Sequence, residues 1–274
     1  MPNQHCSAAR LRVVSTRFRG IHVGSAAIGV AVILGGAACG SSSTASPATS
    51  SATSTTSTST TSGVSNGQTY TVAPSSSGDA TSDGKGRWTL VVDTISGGDS
   101  RVADAFNQAV HASAAQQLDP VRRDADPDGT WSFDTKPQIF FGGASASELI
   151  SGLYSHVPAA HPVNYVSTVV IDSRSGTPIT LKDLFGDEQA GLKRLSEQTK
   201  LLLPAVMGTG ATPMPDEQGN APIEANFANW IPTAQGLEIH FADYQFAHGL
   251  PVITVPWSAV DDLLAPGMAA LRQP

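Results

Sequence analysis

The sequence has two cysteines in 274 residues, Cys6 and Cys39. Cys6 lies inside an N-terminal leader, so the mature chain has no pair to oxidise and must hold its fold by burial alone. Basic residues are also scarce, 16 Lys and Arg against 23 Asp and Glu, a formal charge of −7. Residues 1–38 hold Arg10, Arg12, Arg17 and Arg19 and no acid. Their removal lowers the basic count from 16 to 12 and moves the charge to −11. Such a chain repels phosphate backbones and adheres poorly to anionic headgroups by charge, which excludes nucleic acid as a partner. There is no internal repeat and no apolar run long enough to be a convincing membrane span.

What is present at the N-terminus is an export signal. Four arginines precede the apolar run "IHVGSAAIGVAVIL", and small residues follow. The end, "GAAC", resembles a bacterial lipobox, with Gly36 in place of the usual leucine. That resemblance implies cleavage of residues 1–38 and acylation of Cys39. A diacylated cysteine provides the two chains that stable membrane anchoring needs. From Ser41 to Ser62 every residue is Ser or Thr except Ala45, Pro47, Ala48 and Ala52. Such a tract cannot bury enough apolar surface to offset its ordering entropy. It is expected to continue as a disordered stalk over residues 39–86, with a reach of roughly 35–40 Å, and its hydroxyls are candidate glycosylation sites.

Residues 87–274 suit one α+β domain, mainly antiparallel sheet with two longer helices and a short C-terminal helix. "RWTLVVDTI" reads as a strand. Asp99 or Ser100 caps a helix carrying Val102, Ala105, Phe106, Ala109 and Val110 at helical spacing; its stripe fades at Ser113 and Pro120 ends it. "TWSFDTKPQIFF", "ELISGLYSHV" and "VNYVSTVVID" read as strands. A second helix starts near Asp187 and stops at Pro204. Leu237, Ile239 and Phe241 alternate with wetter residues, Val252–Val255 form another strand, and Ser258 caps the closing helix.

Three stretches resemble the RsiV-like family of exported domains. They are "ISGGDSRVADAFNQAVH", "YSHVPAAHPVNYVSTVVIDSRSGTPITLKDLF" and "GLEIHFADYQFAHGLPVITVPWSAVDDLL". The family includes a lysozyme-sensing anti-sigma factor ectodomain and a secreted immunogenic protein of mycobacteria, the latter the nearer likeness. The resemblance implies the fold and marks Asn107, His161, Asp172, Tyr244 and Gly249 as pattern residues with structural roles. Gly249 is expected to serve a turn, and Tyr244 to be an anchored aromatic with its hydroxyl satisfied. Only about 20 residues precede the apolar run, too few to grip a sigma factor, so a partner-binding role transfers and an anti-sigma role does not.

Candidate chemistry is sparse. Asp124, Asp126, Asp128 and Gly129 match the first half of a calcium loop, but Thr135 stands where a bidentate Glu belongs. The motif makes calcium a candidate cofactor, on Asp124, Asp126 and Asp128. Ser145 in "GGASAS" resembles the serine of a nucleophile elbow, although the second glycine is missing, and His156 or His248 would be the base of any serine hydrolase. His156 and His161 flank a turn and could hold a metal, with no third ligand legible. Trp88, Trp131, Trp230 and Trp257 offer either a glycan-binding face or core packing. The resulting expectation is an envelope-anchored binding protein for a protein, glycan or lipid ligand, with an esterase-type hydrolase as the alternative.

Overall fold

The computed structural model describes residues 61–159, 161–210 and 213–273. The leader, Cys39 and the Ser/Thr tract up to residue 60 lie outside the described residues. The architecture is α+β. A seven-stranded sheet runs in chain order: β1 (Thr61–Ser65), β2 (Gln68–Ala80), β3 (Gly86–Gly97), β4 (Thr130–Gly142), β5 (Ser145–Val157), β6 (Val163–Asp172) and β7 (Thr177–Pro178). All neighbours are antiparallel except β3 and β4, which the first long helix, α1 (Ser100–Asp124), connects as a parallel crossover. A one-turn helix, α2 (Leu181–Leu184), and a long helix, α3 (Glu188–Met207), follow. A second, three-stranded antiparallel sheet comprises β8 (Trp230–Pro232), β9 (Gly236–His240) and β10 (Val252–Pro256). The expected closing helix is instead three 3-10 turns, Trp257–Ala259, Asp261–Leu263 and Met268–Arg272.

The expected stalk is too long at its C-terminal end. Residues 61–80 are strands β1 and β2, and β2 pairs with β3 from Tyr70–Gly97 to Ala80–Arg87. Strand pairing satisfies the backbone whatever the side chains, so the polar run "APSSSGDA" is held by β3, while Tyr70 and Val72 fill the core beneath.

Both proline stops are also corrected. Pro120 lies inside α1, which continues to Asp124, and Pro204 lies inside α3. Buried Val121, one residue past Pro120, pulls the last turn of α1 onto the core. α3 ends where Gly208 takes φ 66°, a left-handed cap that suits glycine. Nor does the inner face of α1 end at Ser113, whose hydroxyl meets that of Ser167 at 2.7 Å. Buried Gln117 donates to the Ile150 carbonyl at 2.9 Å and to Ser167 at 2.6 Å.

One core lies under α1, where Val102, Phe106 and Val110 meet Tyr70, Val92, Ile95, Ile150 and Ile171. The larger core joins α3 to the second sheet through Leu195, Leu203, Leu237, Ile239, Phe241 and Val255.

After the Thr89–Asp134 pair, β3 peels away from β4. Its orphaned backbone edge is taken over by side chains at alternate residues. The Thr135 hydroxyl accepts from Val91 N–H at 2.7 Å and donates to Val91 C=O at 2.8 Å. Glu148 Oε1 accepts from Asp93 N–H at 3.2 Å. Asn107 accepts from Ile95 N–H at 2.8 Å and donates to Ile95 C=O at 2.9 Å. A buried backbone group without a partner costs free energy, and these three side chains remove that cost.

Candidate functional site

Three of the pattern residues, His161, Tyr244 and Gly249, converge at one surface, where the β5–β6 turn meets the β9–β10 turn. The organising group is Asp243, a carboxylate whose side chain is 2% exposed. Oδ2 accepts from the backbone N–H of Asn164 at 2.8 Å and from its side-chain amide at 2.9 Å. Oδ1 accepts from Gly249 N–H at 2.7 Å and faces His248 Nδ1 at 3.0 Å. Burial pushes the Asp243 carboxyl upward, but the hydrogen bonds from Gly249, Asn164 and His248 outweigh it and hold it below the usual carboxylate range. An ionised Asp243 only accepts, so Nδ1 of His248 is the donor in this pair.

A ladder of rings stands on this carboxylate. His248 lies 5.0 Å from the ring of Tyr244 on one side and 5.0 Å from that of His161 on the other. Tyr244 is 54% exposed and sits at φ 64°, a conformation a bulky side chain rarely adopts. Its N–H donates to Ala247 C=O at 2.9 Å, closing the turn that imposes this φ. Gly249, at φ 118°, occupies a region open to glycine. The expectation of an anchored tyrosine is corrected: the ring is presented to solvent, and the turn rather than the core holds it.

Asp172 and Asn107 lie elsewhere. Asp172 takes a two-pronged grip from Arg174 at 2.9 and 2.7 Å, closing the β6–β7 turn. Although burial raises its carboxyl, the Arg174 contacts leave it below the ordinary range. Asn107 clamps β3 to α1.

The three calcium-loop carboxylates part company. Asp124 pairs with Arg123 at 3.0 Å. Asp126 Oδ1 accepts from Asp128 N–H at 2.9 Å while Oδ2 faces His156 Nε2 at 3.5 Å. Among the described residues no group of three or more metal-ligating side chains converges. His156 and His161 face different neighbours, Tyr154 with Asp126 and His248 respectively.

Ser145 is 1% exposed in the first position of β5, opposite Gly142 and Asp172, and its carbonyl accepts from Ser65 Oγ at 3.0 Å. The nucleophile reading is therefore corrected: this serine is buried in a tight strand turn rather than raised on an elbow. Trp131, Trp230 and Trp257 are buried, and Trp88 stacks on Trp131 at 6.1 Å beneath the Arg122 guanidinium. No tryptophan forms an exposed glycan platform among the described residues.

The Asp243–His248 pair was missed in the sequence. An Asp five residues before a His across a "YQFA" turn was its signal, and the pattern drew attention to Tyr244 and Gly249 on either side of it.

The site thus belongs to an α+β domain whose two sheets each contribute a turn. The profile of DUF3298, described as a protein of unknown function, matches residues 182–258, from α2 through the second sheet. No curated protein matches the chain. Among solved structures, the chain is similar to a DUF3298 family protein from Pseudomonas aeruginosa PAO1, at 14% identity, covering 72% of this chain and 95% of that one with a TM-score of 0.48. It is similar also to a DUF3298 family member from Bacteroides fragilis NCTC 9343, at 12% identity, covering 75% and 97% with a TM-score of 0.48.

Proposed function

We propose that this is an exported cell-envelope lipoprotein of RsiV-like kind, anchored by acylated Cys39, whose α+β domain binds a ligand without transforming it. The observation that carries the reading is the exposed Tyr244–His248–His161 ladder on a buried carboxylate. A strained, solvent-facing aromatic persists only where its surroundings over-determine it, and such strain clusters at sites of use. Tyrosine and histidine present an apolar face with a polar tip, the composition of a recognition anchor. The ladder has an oriented histidine but no serine or cysteine among the contacts that build it, which favours binding over acyl transfer.

A photo-cross-linking residue placed at Tyr244 in living cells tests the binding role. The expected result is a discrete adduct that the same group at exposed Thr89 on β3 does not give. Equal labelling from both positions contradicts the reading. Anchoring is tested apart from this: labelled palmitate should enter the protein and not its Cys39→Ser variant.

A further inference from the structure

His161 meets a second histidine, and the two rings come from different turns. The ring centres of His161 and His248 lie 5.0 Å apart, with the planes inclined at 39°. Each ring engages an oxygen through Nδ1. His248 Nδ1 faces Asp243 Oδ1 at 3.0 Å, and His161 Nδ1 faces the Pro162 carbonyl at 3.4 Å. A carboxylate and a backbone carbonyl are the two acceptors that commonly hold the far nitrogen of a metal-bound imidazole. With Nδ1 so engaged, Nε2 is the nitrogen each ring turns to a ligand. Neither Nε2 has a hydrogen-bond or ion-pair partner among the described residues, where each ring's polar contact is made by Nδ1.

The spacing suits chelation. Two imidazoles bound through Nε2 to one tetrahedral ion, at about 2.0–2.1 Å each, stand roughly 5 Å apart between ring centres. His248 is the fixed member of the pair, held by Asp243 and by the Tyr244 ring 5.0 Å away. His161 is exposed, so rotation about its two side-chain bonds is open to bring its Nε2 to the ion.

The frame behind the rings is built rather than incidental. Asp243 bonds Gly249 N–H on the turn that carries His248. It also bonds the backbone and side chain of Asn164, next to the turn that carries His161. One carboxylate thus sets the distance between the two turns and orients one of the two rings. A carboxylate in that position raises the basicity of the imidazole it holds.

We propose that His161 and His248 chelate a divalent transition ion, zinc or copper, through their Nε2 atoms, with the Asp243 carboxylate behind the His248 ring. Two imidazole nitrogens select such ions over calcium and magnesium, which take oxygen ligands. No third ligand joins them among the described residues, so the other coordination positions are left to water or to a donor atom of a bound molecule. The pair lies within the recognition surface proposed above but does not rest on that reading, since an aromatic surface needs no ion and a chelated ion needs no partner.

Calorimetric titration of the purified full chain with zinc sulfate and with copper sulfate tests it. One ion should bind per chain, copper more tightly than zinc, and calcium and magnesium should give no saturable heat. His161→Ala and His248→Ala should each weaken both ions by about tenfold or more. His111→Ala, at an exposed histidine on α1, should bind as the unaltered protein does. His161 is exposed, so its loss leaves the fold intact, and unchanged circular dichroism verifies that. In proton NMR, zinc should shift the ring resonances of His161 and His248 and leave those of His156 and His240 in place. The proposal is overturned if neither ion saturates at millimolar concentration, if either of the two variants binds as tightly as the unaltered protein, or if the shifted resonances belong to other histidines. Any of these results leaves the cross-linking expectation at Tyr244 standing.

Discussion

Asn107 spends both ends of its side-chain amide on a single residue, accepting from Ile95 N–H at 2.8 Å and donating to Ile95 C=O at 2.9 Å. The pair ties α1 to β3 just where β3 has left its neighbour in the sheet. Replacement by alanine strips two backbone groups of their partners. At ~1–3 kcal/mol for an orphaned buried group, Asn107→Ala should lower unfolding free energy by about 2–4 kcal/mol in urea titration. Asn107→Asp should cost less at low pH than at neutral pH, since only the protonated acid can donate to Ile95 C=O.

Glu148 does the same service two residues along and should leave a signature in pH. It is fully buried on β5. Burial pushes its carboxyl up to about 8 from 4.5; the Asp93 N–H bond pulls down, and the Asp93 charge pushes up. The folded protein therefore holds a proton that the unfolded chain releases above pH 4.5. By linkage, stability falls as pH rises from about 4.5 to 8. At about 1.4 kcal/mol per pH unit, the penalty reaches roughly 3 kcal/mol at pH 7. Glu148→Gln keeps an oxygen for Asp93 N–H and has no proton to lose. Its stability relative to the unaltered protein should rise by roughly 3 kcal/mol between pH 4.5 and 7. A difference that does not change with pH would show that Glu148 is ionised in the fold.

Asp243 should show the opposite dependence. Its folded carboxyl lies below its unfolded value of 3.8, so its contribution is present above that pH and is lost as pH falls through the folded value. Asp243→Asn can accept at Oδ1 but cannot accept the Asn164 bonds with the amide nitrogen that replaces Oδ2. It should destabilise the protein by about 2–3 kcal/mol at pH 7 and by less near pH 3. Urea unfolding at the two pH values measures both.

The two turns that build the ladder were only partly legible in the sequence. "HP" and "AHGLP" mark turns by proline and glycine, and the α+β class follows from strand-like runs interrupted by two helical patterns. What joins the turns is a carboxylate from one bonding the backbone of the other, Asp243 to Asn164, a relation 79 residues apart that no local pattern carries. Strands β1 and β2 were hidden for a related reason. "APSSSGDA" has the composition of a linker, and only its long register with β3 makes it sheet. Glu148 was legible in principle: it shares the inward parity of Ala146 and Ile150, a charge in an apolar row. α1 runs past Pro120 because tertiary burial of Val121 outweighs the local break, and α3 runs past Pro204 to Met207, where the left-handed Gly208 ends it.

The ladder itself carries the central claim, and Tyr244 allows stability and use to be separated. At φ 64° a non-glycine residue costs about 1 kcal/mol or somewhat more. Tyr244→Gly relieves that strain but loses the stacking on His248 and adds unfolded-chain entropy, so unfolding free energy should change by no more than about 1 kcal/mol in either direction.

The most direct measurement places the photo-cross-linker at exposed His161, across the ladder from Tyr244, in cells carrying either Tyr244 or Tyr244→Gly. The account predicts a discrete adduct with Tyr244 and its loss with glycine, while the glycine protein stays folded and equally abundant. An adduct of undiminished yield from the Tyr244→Gly protein would contradict the claim that this ladder is the binding surface.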